Sequence, residues 1–194
     1  MIGVIKEVFS ANIKYMQIMD EKGNVDAPLF PKELSDQKLL EMLKLMMLTR
    51  NVDAKAVSLQ RQGRSATYAP SLGEEAVNIG TAMALRKDDI FVPAFRQHGV
   101  YIARSLPIHL FYLYWMGFEE GNVMPPEVRG FPMAVPVSTQ MPHAAGIAFA
   151  QKYKKNRQCG CCLCGRRRHF RRRLLRSHKF RRGMEGASCG NNTE

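Results

Sequence analysis

The residues with the most overt chemistry crowd into one tract. Cys159, Cys161, Cys162 and Cys164, with His169 close behind, are ligand types for zinc. Structural zinc sites draw on two separated ligand pairs with a knuckle of chain between them, whereas these four cysteines fall within six residues. The arginines that follow, from Arg166 to Arg182, would attract the phosphates of any nucleic acid. No aromatic stacking platform or groove-reading module accompanies them. Upstream the candidates are sparser. Glu74 and Glu75 pair two carboxyl groups, suited either to proton transfer or to the positive end of a helix. Arg96 could pair with a phosphate oxygen. His98, two residues on, could carry a proton or sit as a hydrogen-bonded structural residue.

These side chains need elements to hold them. "LSDQKLLEMLKLMMLTRNVDAKAVSLQRQG" places Leu39, Leu43, Met46, Met47 and Arg50 at helical spacing, with Ser35 or Asp36 to cap the helix and Gly63 to stop it. A methionine stripe of this kind reads as core or subunit contact. A second helix is expected after Pro70, carrying Glu74 and Glu75 near its start. "DIFVPAFRQHG" reads as a short strand followed by a polar loop, so Arg96 and His98 fall at the strand's carboxyl end, where α/β proteins bind ligands. "LPIHLFYLYWMG" is a helix bracketed by Pro107 and Gly117. A Pro/Gly-rich loop then becomes a helix around Met141, whose face of Ala144, Ala145, Gly146, Ala148 and Ala150 permits close backbone approach. Val135, Val137, Ser138 and Thr139 precede it, where a loop running into a helix presents main-chain groups to a ligand. Helices alternating with short strands make an α/β layer fold, with helices around a mostly parallel sheet.

The charge is not spread along this frame. Of 29 Lys/Arg and 17 Asp/Glu, residues 1–150 hold 15 of each, so the whole net charge of +12 lies in the last 44 residues. All five cysteines lie there too. The remaining chain, free of cysteine, fits a reducing compartment, and its start is too soon interrupted by Lys6 and Glu7 for a secretory signal. No apolar run reaches the length of a membrane span. A cytoplasmic protein is expected.

So abrupt a break in composition also fits a shifted reading frame. Read one base later, the codons of Cys159, Cys161, Cys162 and Cys164 become Val or Ala, which suits a buried parallel strand. The codons of Gly165 to Arg168 are then confined to Gly, Ala, Asp or Val whenever a C follows. Met184 before Glu185 forces a tryptophan. One allowed shifted reading from the codon of Gly165 onward is "GDGGTSEGDFYEAINFAGVWK", a reconstruction from the genetic code and not the sequence of this chain.

"SLQRQGRSATYAPSLGEEA", "DDIFVPAFRQHG" and "VPVSTQMPHAAGIAFAQKYKK", in that order, resemble the alpha subunit of the decarboxylating component of pyruvate and branched-chain 2-oxo acid dehydrogenases. The resemblance covers about residues 15–158. In that family a strand ending in Gly-Asp-Gly comes next, beginning the motif that holds thiamine diphosphate and magnesium. The shifted tail encodes that first half.

The resemblance implies a partial thiamine-diphosphate-binding fold, its C-terminal part missing or disordered. It divides the chain into an extension over 1–35, a cofactor-binding domain over 36–158 and an aberrant basic tail over 159–194. It implies oxidative decarboxylation of a 2-oxo acid with acyl transfer to a lipoyl group. Thiamine diphosphate supplies the carbanion and electron sink, and Mg2+ anchors its diphosphate. The implied partners are a beta subunit in an α2β2 assembly and a lipoyl-bearing acyltransferase, with nonspecific nucleic-acid binding by the tail and no membrane.

Phe95 and Arg96 match a Tyr-Arg pair on the diphosphate side, Phe95 lacking the hydroxyl. Val135 and Val137 match residues lining the cofactor pocket, and Thr139 and Gln140 match holders of a structural potassium ion in branched-chain members. A histidine of some pyruvate-type members aligns with Ala69; the surrounding motifs favour pyruvate, with a branched-chain 2-oxo acid the alternative. Arg166 occupies the position of the magnesium-binding Asp, so the chain as written is expected to be inactive. The rival reading is a zinc- or nucleic-acid-binding protein acting through its tail.

Overall fold

Ser35 opens the first helix. Its Oγ accepts the Lys38 main-chain N–H (3.4 Å), and α1 runs Asp36–Arg61. Asp36 and Arg61 put a negative charge at the start and a positive one at the end, the order the helix dipole favours. Gly63 then takes φ +71, a conformation that costs glycine little, and the chain leaves the helix axis. The computed structural model describes residues 12, 14–155 and 160–162. Apart from Cys161 and Cys162, the residues of the zinc and nucleic-acid readings of the tail, the position of Arg166 and the boundary at 158/159 lie outside the described residues.

The chain divides into two units between Leu39 and Leu40. In the first, Met19 and Val25 form an antiparallel bridge around a turn organised by Asp20. Asp20 Oδ1 accepts the N–H groups of Lys22 (2.9 Å) and Asn24 (2.8 Å). The Asn24 side chain, donating to Oδ2, holds the Asp20 carboxyl below its ordinary range.

In the second unit, α1 buries Thr49, Val52, Asp53, Ala56 and Leu59, a stripe at three- and four-residue spacing. The methionine stripe is therefore not core. Leu43 is 51% exposed and Met47 60% exposed, because the helix turns its carboxyl half, rather than its leucine-rich amino half, to the interior.

Strand β1 (Ile90–Val92) lies parallel to β2 (Gly160–Cys162), pairing Ile90 with Gly160, Phe91 with Cys161 and Val92 with Cys162. On its other side Phe91 makes a parallel bridge to Gly130: its N–H donates to the Arg129 carbonyl (3.2 Å) and its carbonyl accepts the Phe131 N–H (3.0 Å). Gly130 is required there, since a Cβ at that position would come within 2.4 Å of the buried Phe91 ring. The helices are α2 (Glu75–Ala84), α3 (His98–Ala103), α4 (Ile108–Met116) and α5 (Gln140–Tyr153). Helix α2 packs on α3, and α5 packs on both strands. The fold is α/β: helix-rich around a small parallel sheet, its core built from Phe91, Val100, Tyr101, Phe111 and Trp115 among others.

The ends of α4 follow the sequence. Pro107 caps it, and Gly117, at φ +89, returns its N–H to the Tyr114 carbonyl. One expectation fails: the stretch after β1 is not simply a polar loop. A tight turn over residues 93–97 leads straight into α3, which begins at His98. Among the described residues no helix is long and apolar enough to cross a membrane.

Candidate functional site

The turn leaving β1 is held from two sides. The Gln97 Oε1 accepts the Ala94 N–H (2.8 Å), and Asn78 of α2 donates its Nδ2 to the Arg96 carbonyl (3.2 Å). These bonds fix the backbone that presents Phe95 and Arg96, both half-buried. The Arg96 guanidinium lies 5.4 Å from the Phe95 ring centroid and donates through Nη1 to the Pro70 carbonyl. Its Nε and Nη2 make no hydrogen bond among the described residues. A cation with free donors, at the carboxyl end of a parallel strand, suits an anionic ligand.

Behind that turn lies a buried polar network in an aromatic box. Asp53 Oδ1 accepts the Tyr68 hydroxyl (2.6 Å), the Ser71 N–H (2.8 Å) and the Ser71 hydroxyl (3.3 Å). Burial pushes the Tyr68 phenol up, and the bond to Asp53 adds to this, so Tyr68 remains a donor. His98 is 1% exposed, enclosed by the rings of Phe111 (4.9 Å), Tyr68 (5.4 Å) and Trp115 (6.0 Å). Burial drives its pKa down to about 4, against the opposing bond to the Ala69 carbonyl and the charge of Asp53. The ring is neutral near pH 7. Its Nε2, 3.1 Å from the Ala69 carbonyl, carries the proton, because a carbonyl can only accept. His98 is thus a buried ring hydrogen-bonded to the Ala69 carbonyl.

Glu75 is buried and takes Arg50 Nε on Oε1 (2.5 Å) and the Gly73 N–H on Oε2 (3.0 Å). The Arg50 guanidinium holds this carboxyl below its ordinary range. That is a clamp between α1 and α2; Glu74 stands at the N-cap position of α2 without a side-chain capping bond.

The loop before α5 forms a second cluster. Val135 is 53% exposed and Val137 half-buried. Thr139 Oγ1 donates to the Pro136 carbonyl (2.9 Å), and Gln140 Nε2 donates to the Ala134 carbonyl (3.0 Å). Gln140 Oε1 and Ser138 Oγ are buried and lack a hydrogen-bond partner among the described residues. Ser138 also takes φ +71, unfavourable for a non-glycine residue. Unpaired buried oxygens beside main-chain carbonyls suit a hard cation.

Sequence reasoning missed Asp53, Tyr68 and the buried oxygen of Ser138. Asp53 had a signal: it is an acid on the stripe Thr49, Val52, Ala56, Leu59, where every neighbour turns inward.

Residues 43–166 match the family model described as the dehydrogenase E1 component. The chain is 37% identical over 139 residues to a pyruvate dehydrogenase E1 component subunit alpha of Acholeplasma laidlawii, covering 72% of this chain and 40% of that protein. It is 35% identical over 142 residues to the protein of the same name from Staphylococcus aureus, with coverage of 73% and 38%. It is 31% identical over 159 residues to that of Bacillus cereus, with coverage of 82% and 43%. The chain thus spans about 40% of the length of the curated relatives it matches.

Proposed function

Because this chain belongs to the dehydrogenase E1 component family, we propose that it provides the diphosphate-binding side of a thiamine-diphosphate site in an enzyme that oxidatively decarboxylates a 2-oxo acid, with pyruvate the substrate. The observation that carries the reading is Arg96: a half-buried guanidinium at the carboxyl end of β1 whose Nε and Nη2 make no hydrogen bond among the described residues. Such a group pairs with phosphate oxygens in fixed geometry. Phe95 packs beneath it without a hydroxyl to contribute. Val135 and Val137 line the pocket and leave binding to the backbone. Thr139 and Gln140 hold a potassium ion, a role supported by the unpaired Gln140 Oε1.

When bound, thiamine diphosphate supplies a stabilised carbanion and an electron sink. The chain's own residues orient it and exclude water. We assign no proton transfer to His98, which is sealed in its aromatic box. Arg166 stands at the expected carboxylate position, and a guanidinium there opposes a divalent cation.

The exposed apolar residues Leu43 and Met47 of α1 and Val77 of α2 are the surfaces to which we assign subunit contact, with a beta subunit in an α2β2 assembly. The acyl group passes to a lipoyl-bearing acyltransferase. The written reading of residues 159–194 is a shifted frame of the family's gene, and the chain in this frame is inactive.

The test pairs the chain with a family beta subunit, thiamine diphosphate and Mg2+, and follows pyruvate decarboxylation. The frame restored after Gln158 is expected to turn over pyruvate and the written frame to give no turnover. Robust decarboxylation by the written frame would sink the claim of inactivity. A restored frame that turns over no 2-oxo acid would sink the proposed function.

A further inference from the structure

Four consecutive residues, Tyr68 to Ser71, are each gripped by a side chain from another element. Asp53 of α1 takes the Tyr68 hydroxyl and the Ser71 N–H. His98 of α3 donates to the Ala69 carbonyl. Arg96, from the turn after β1, donates to the Pro70 carbonyl. The last contact runs both ways: the same segment that these groups hold also fixes the guanidinium of Arg96.

Stability alone gives no account of Asp53. An acid that is 3% exposed loses its hydration, and well-packed apolar residues usually serve as well or better at such sites. What an acceptor at this point does supply is register. Three donors converge on the single atom Oδ1, so Tyr68 and Ser71 cannot slide without leaving a buried polar group unpaired. Pro70 lies between them, and its carbonyl is thereby set where Arg96 Nη1 meets it. With Nη1 anchored, the planar fork has its remaining donors, Nε and Nη2, directed as a unit.

We propose that Asp53 is a positioning residue: through the Tyr68–Ser71 segment it holds the Arg96 guanidinium ready for a phosphate group of the cofactor. This rests on the reading of Arg96 as the phosphate-side ligand. Arg96 makes the contact, and Asp53 acts only through the segment.

The molecule carries its own reporter. Trp115 is its only tryptophan, and its ring stands edge-on to Tyr68 at 4.9 Å. Ala66 N–H and Ser65 Oγ both donate to the Trp115 carbonyl, tying it to the approach to the segment. The probe is inorganic pyrophosphate, titrated into the full chain while Trp115 emission is followed. Phosphate bound on the basic tail is suppressed by titrating at high salt, which weakens nonspecific phosphate contacts.

Wild type is expected to give a saturable change that R96Q abolishes. D53A should weaken it by ~10-fold, the scale of losing a hydrogen-bonded support, and D53N, whose amide oxygen still accepts, should recover most of that affinity. A merely structural role would not produce this pattern of loss and rescue at equal far-UV circular dichroism. If D53A does not fold, Y68F removes one donor alone and should weaken binding by ~3-fold. Wild-type affinity in D53A or Y68F, with R96Q still silent, overturns the positioning role and leaves the Arg96 reading standing. A response in R96Q equal to wild type overturns the Arg96 reading, and the positioning role falls with it.

Discussion

At the scale of single residues, His98 shows how burial decides chemistry. Its imidazole would titrate near 6.5 in water, but desolvation brings the folded value to about 4. Between those values the unfolded chain binds the proton and the folded chain does not, so stability must fall as pH drops from about 6.5 to about 4 and level off below. The full difference corresponds to about 3 kcal/mol. H98Q should flatten that part of the curve, read by urea unfolding at successive pH values. A wild-type curve already flat over this range would contradict the sealed, neutral imidazole. Glu75 contributes in the usual acid sense. Its carboxyl is depressed by Arg50, so its contribution is present above the ordinary glutamate range and is lost as pH falls through the depressed folded value.

Residue-scale pairings were the least legible part of the sequence. Asp53 meets Tyr68 and Ser71 from 15 and 18 residues away, and Arg96 meets Pro70 across 26. Nothing in local periodicity encodes such pairs; they exist only once α1, α3 and the turn after β1 have packed.

Elements were far more legible, because their signals are local. Ser35 and Gly63 bracket α1, and Pro107 and Gly117 bracket α4, by backbone preferences that act within a turn. Of the two roles open to the methionine stripe of α1, its exposure removes the core one, since period locates a face without saying what covers it. Helix α3 was hidden because six residues are too few for a periodic pattern.

Two glycines separate close approach from mere tolerance. G130A would drive a Cβ to 2.4 Å from a Phe91 ring that has no exposed surface to yield into. It should cost about 1–3 kcal/mol by overpacking. G146A, in α5 with nothing within 4 Å, should instead be neutral or add up to about 1 kcal/mol through helix propensity. Thermal or urea unfolding of both variants checks the contrast. Equal stabilities would mean that β1 and the Gly130 segment are not held as tightly as their parallel bridge requires.

For the whole molecule, three motifs in order located the family, and residues 43–166 match its model. The parallel strand at Gly160–Cys162 comes directly after α5 and pairs with β1, where the resemblance leads one to expect the strand before the cofactor motif. Beyond it the basic charge of the chain gathers. The body of the chain belongs to the dehydrogenase E1 component family, and we propose that the basic tail is the same gene read out of frame. Sequencing the DNA across the codons for Gln158 to Gly165 tests it most directly. One base extra or missing relative to the written reading is the expected result, and it restores the Gly-Asp-Gly motif. An unaltered frame, confirmed by the intact mass of the expressed protein, would contradict it.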